Sequence, residues 1–156
     1  MRVIATCLLP LLLISCSGGG SADLDRRPVE SKAPALRDLV RGAHSGIRTA
    51  ERAVLRESSE LASLWTRHSS TVNPPLPLPE VDWSTEMVLA VFGGNRPSSG
   101  FVLEIVDARP GEAGLQVLYR ESTPAATGGS LTVLTQPHHL VAVPRYAGEV
   151  EFRLED

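Results

Sequence analysis

Hydrophobic and polar positions divide this chain into regions of different character. Residues 3–14 form a nearly unbroken apolar run, interrupted by a proline at position 10. Residues 16–45 sustain no period: Ser17, Gly18, Gly19, Gly20 and Ser21 open a flexible stretch, and Pro28, Pro34 and mixed charges follow. That composition predicts a tether, with a short helix near 35–41. From Gly46 onward periodic patterns begin. Residues 50–55 predict a strand. Residues 58–68 predict a helix, because Leu61, Leu64 and Trp65 recur at i, i+3 and i+4 and form one apolar face. Ser58 or Ser59 is expected to cap it, Glu60 to sit at its positive end and His68 to place a cation in its last turn.

The four prolines Pro74, Pro75, Pro77 and Pro79 exclude both helix and central strand, so residues 73–79 predict an extended loop. Its plain reading is a crossover from helix to sheet; the alternative is a segment read by a proline-binding partner. Residues 86–92 are apolar at both alternating sets, as in a central strand buried on both faces. Further strands are expected at 101–106, 115–120, 131–134, 139–143 and 150–154, with turns or loops at 93–100, 109–112 and 124–129. In the last strand Val150, Phe152 and Leu154 alternate with charged residues, which predicts that they point inward. The fold class is therefore α+β and mainly β: a small antiparallel β-sandwich or open barrel with one packed helix. One β-rich domain is expected over residues 46–156, with its core at 81–154.

The first region is too short to span a bilayer, which takes about 20 residues, and fits a signal-peptide core behind Met1 and Arg2. It ends in Leu13, Ile14, Ser15 and Cys16, which resembles the lipobox of exported bacterial lipoproteins. Residues 1–15 then form a removable leader, and Cys16 is the expected site of acylation. Two or three acyl chains on Cys16 would anchor the chain stably where one would not. The chain has only two cysteines, Cys7 and Cys16. The mature chain would keep no free thiol, which excludes a Cys nucleophile or Cys-ligated metal and leaves the core to stabilise the domain alone. The expected location is the cell envelope, lipid-anchored to a membrane, and the outer membrane in a Gram-negative host because Ser17 rather than Asp follows the cysteine.

Composition adds little beyond this. Apolar content of 42% and charged content of 21% are those of a globular chain. A net charge of −3 with no basic block excludes nucleic acid as an expected partner. There is no G-x-S-x-G elbow, no H-E-x-x-H and no glycine-rich loop opening a helix. The pair His138 and His139 suggests a metal, but neighbours in a strand point to opposite faces, and a third ligand such as Asp82 or Glu86 would have to join them. No cofactor, metal site or catalytic residue is expected, and the chain is not expected to be an enzyme.

The segment most suited to binding is the polar loop Asn95, Arg96, Pro97, Ser98, Ser99, Gly100 and Phe101, held between two apolar strands. With Asp82 and Trp83, the run 87–93, Ile105, and the later run 135–145, it resembles the C-terminal domain of PrcB-type protease-complex subunits. The likeness covers residues 81–152, with a looser one over 47–68. It departs where the family loop reads Thr-Gly-Gly-Tyr and this chain has Ser98, Ser99, Gly100 and Phe101, and where His138 replaces an aromatic. The resemblance implies a non-catalytic membrane-anchored lipoprotein that binds, stabilises or assembles an exported protease. The same loop is also similar to the Asn-Pro-Thr-Thr-Gly-aromatic signature of chagasin-like protease inhibitors, with one inserted Arg. In that reading Gly128 and Gly129, and Pro144, Arg145 and Tyr146, supply two further loops at the same end of the sheet. Either way Arg96, Pro97, Ser98, Ser99, Gly100, Phe101 and Arg145 are the candidate partner-binding residues. A ligand- or metal-binding envelope lipoprotein is the third alternative.

Overall fold

The computed structural model describes residues 35–124 and 131–155. The leader, Cys16, most of the tether and Gly128 and Gly129 lie outside the described residues.

The order of elements is β1 (Arg37–Gly42), β2 (Ala50–Leu55), α1 (Ser58–His68), β3 (Glu86–Gly93), β4 (Val102–Pro110), β5 (Leu115–Ser122), β6 (His138–Pro144) and β7 (Val150–Leu154). They build two unclosed sheets, one ordered β1-β6-β3-β2 and the other β4-β5-β7, so the architecture is a sandwich rather than a barrel. Met87, Leu89 and Val91 of β3, with Val141 and Val143 of β6, pack on Leu103, Ile105, Val117 and Tyr119 of the second sheet. The alternate residues Val88, Ala90 and Phe92 face Leu61, Leu64 and Trp65 of α1. The two apolar sets of β3 thus serve two cores, as its doubly apolar pattern requires.

The helix packs through its expected face, extended by His68, which is buried as well. Its N-terminus differs from expectation. The carboxylate of Glu60 reaches back and accepts the N–H groups of Glu57 and Arg56, at 3.2 and 2.6 Å, in place of a serine cap.

Other differences are larger. Residues 37–42 are a strand, not a helix, and lie inside the stretch expected as tether. The outer edge of β6 offers β1 a ladder of backbone partners, interrupted by one register shift between Asp38 and Val40, and an isolated helix this short is unstable in water. Residues 131–134 form no strand; there the chain is joined to its neighbours by the bridge between Thr135 and Arg96. The sandwich is not wholly antiparallel either, since β5 and β7 run parallel. Parallel neighbours need a crossover, and here β6 makes it by passing through the other sheet.

Candidate functional site

Loop 95–101 leaves β3 and turns into β4, and its shape is held from the side by the connector that follows β5. Arg96 and Thr135 exchange backbone hydrogen bonds at 2.8 and 3.0 Å. The Thr135 hydroxyl donates to the Ser98 carbonyl at 2.9 Å, and the Ser99 hydroxyl accepts the Leu131 N–H at 2.9 Å. The Ser99 N–H donates to the Leu131 carbonyl in return. Gly100 has a φ of 90°, where a side chain is strained, and a Cβ there would lie 3.0 Å from Pro124. Arg96 donates to Glu121 of β5 at 2.6 Å, and its guanidinium carbon lies 5.8 Å from the centre of the Phe101 ring. Pro97 is exposed at the tip. The loop is therefore braced on both sides.

What surrounds it is apolar. Leu131 is 73% exposed and Leu134 55%, and Val133 and Val102 are exposed too. These residues border the Ser98 and Ser99 contacts and give this end of the molecule a hydrophobic rim around a polar loop. Singly exposed apolar residues need no explanation, but a group beside a braced loop is the usual mark of a protein-binding surface. Sequence reading missed it because an alternating run at 131–134 looks like a strand until its neighbours are known.

Arg145 is not part of this surface. Glu86 of β3 pairs with Pro144, whereas Phe92 pairs with His138, so Arg145 follows the opposite end of β6. Its N–H donates to the Thr85 carbonyl, and its guanidinium donates to the carbonyls of Trp83 and Arg56 at 2.8 and 2.9 Å. At about 3.3 Å per residue, β3 separates the two ends by roughly 25 Å. The set of loops expected at one end, with Arg145 beside Arg96, is not brought together, and neither is the inhibitor wedge that needs it.

The histidines also take up positions the sequence did not reveal. His138 faces α1, where its ring centre lies 4.5 Å from that of His68 and 6.0 Å from that of Phe92. His139 faces the opposite side, between the sheets, with Nδ1 2.8 Å from the Ile105 nitrogen and Nε2 3.1 Å from Asp38. Burial holds the pKa of His138 and His139 below the ordinary histidine value, although Asp38 works in the other direction on His139. His68 is pushed down to about 4, first by burial and then by His138, so it is a core side chain rather than a helix-end cation. Glu86 lies at the other end of β3 and is held by Arg37. The Asp82 carboxylate accepts the hydroxyls of Ser84 and Thr85. Neither joins the histidines as a ligand, and among the described residues no group of three His, Cys, Asp or Glu could hold a metal.

None of the curated proteins and none of the solved structures matches this chain. Residues 87–144, from Met87 of β3 to Pro144 of β6, match the family model described as PrcB C-terminal, and that segment carries the braced loop, the connector and the His138–His139 pair.

Proposed function

We propose that this protein is a non-catalytic accessory subunit of an exported protease, held to the cell envelope through lipid on Cys16 and binding its protein partner with the end of the sandwich around Arg96 and Leu131. The observation that carries the reading is the braced loop 95–101 with its rim of exposed Leu131, Val133, Leu134 and Val102. Rigid loops edged by apolar side chains lose little conformational freedom on binding and can exclude water from a contact. The family match supports association with a protease complex in general. An accessory role is favoured over inhibition because Arg145 sits at the far end of β6.

Capture from an envelope extract tests this, with the full chain as bait and a protease assay as readout. The expected result is a captured protease whose activity or lifetime rises with the bait. Leu131→Asp and Ser99→Arg should each weaken capture by about tenfold or more, as a change at the centre of an interface does, and Arg96→Ala should weaken it less. Arg145→Ala should leave it unchanged. Protease activity that falls on binding, or equal capture by all four variants, would overturn the assignment.

A further inference from the structure

A neutral imidazole has one nitrogen that donates and one that accepts, and a charged one can only donate. At His139 the geometry decides which is which. Its Nδ1 lies 2.8 Å from the backbone nitrogen of Ile105, a group that can only donate, so Nδ1 must keep its lone pair. The proton then sits on Nε2, directed at the Asp38 carboxylate 3.1 Å away. This one ring joins β6 to the free edge of β4 and to β1. A proton on Nδ1 would set N–H against N–H and leave a buried donor without a partner.

His138, its neighbour on β6, points to the other side and packs edge-on against His68 of α1. Both rings are buried, and His68 is only 2% exposed with no hydrogen-bond partner at Nε2 among the described residues. Ser45 meets its Nδ1 at 3.0 Å. Among the described residues, the other groups around this pair are Trp65 of α1, Phe92 of β3, the Gln136 carbonyl and His44 of the β1–β2 connection, none of them an anion. Around His139 stand Asp38 and Arg41 of β1 and Glu104 of β4, and Arg41 and Glu104 are paired with each other.

We propose that His68, His138 and His139 form an acid-sensitive latch: neutral, they tie β4 to β6 and α1 to the sheet, and protonated they release both. β4 runs directly out of loop 95–101 and β6 runs directly out of the connector carrying Leu131, so the latch holds together the strands that support the partner-binding end. That consequence rests on the protein-binding reading; the latch itself does not.

Amide hydrogen exchange of the full chain, corrected for intrinsic rates, tests it. Between about pH 7 and pH 5, protection of the Ile105 amide and of the α1 amides should fall by about tenfold or more, while the Ala90 amide in central β3 stays protected. His139→Asn, which keeps an acceptor but cannot titrate in this range, should make Ile105 protection independent of pH. Constant Ile105 protection in the parent, or loss in step with Ala90, would overturn the latch. Nitrogen-15 spectra of the unmutated imidazoles give a second test that needs no variant to fold. A proton on Nε2 of His139 at neutral pH is expected, and one on Nδ1 would sink the idea. None of these readouts involves a partner, so the latch and the binding surface can fail separately.

Discussion

Gly94 shows how much a single position can demand. Its φ is 70°, and a Cβ there would lie 2.7 Å from the Ala50 nitrogen, so Gly94→Ala meets both a left-handed backbone and a clash with β2. The backbone term alone is about 1–2 kcal/mol, and urea unfolding should show a loss of at least that order. His68 is the opposite case, a residue whose cost depends on pH. Its folded pKa lies near 4, below the ordinary value of 6.5. The unfolded chain therefore takes up the proton first as pH falls, and stability present above 6.5 is lost progressively toward 4. His68→Phe should flatten that part of the urea-midpoint profile, and a variant with the parent's slope would show that other groups dominate. Neither the burial of His68 nor the contact between Asp38 and His139 was legible beforehand. The helix period stopped at Trp65, and Asp38 and His139 are 101 positions apart.

Elements were read well where local pattern and tertiary contacts agree. α1 and β3 have one apolar face and two, respectively, and each folded as its pattern requires. β1 and residues 131–134 were misread because their conformation depends on a neighbour. Leu39 and Val40 become half-buried only when the edge of β6 is available to β1, and among the described residues 131–134 has no strand beside it to complete a ladder. The proline segment also depends on a neighbour: the Trp65 indole N–H donates to the Leu76 carbonyl at 2.9 Å, fastening the loop to α1. Trp65→Phe keeps most of the apolar contact and removes that bond. It should cost about 0.5–1.5 kcal/mol in urea unfolding, plus the difference in ring size, and should speed exchange or proteolysis in 73–79. Unchanged loop protection would mean that packing of Leu76, not the hydrogen bond, holds the segment.

For the molecule as a whole, the alternation of apolar residues announced a β-rich sandwich or open barrel with a helix on it, and the loop at 95–101 was recognisable as a surface feature. What could not be read was direction, because strand order decides which loops share an end. The register of β3 with β6 places Arg96 at one pole and Arg145 at the other, and the capture variants above are chosen to exploit that separation. The start of β1 belongs to the Arg145 pole, since Arg37 pairs with Ala142 and donates to Glu86.

The same register has a mechanical consequence. A chain held at Cys16 and gripped around Leu131 would be pulled at the start of β1 and at the start of β6. Those two points lie at opposite ends of one antiparallel pair. Tension then acts along the strands, in shear, so the hydrogen bonds between β1 and β6 share the force and must fail together. Had the chain entered at the other end of β1, the same tug would have unzipped them one at a time.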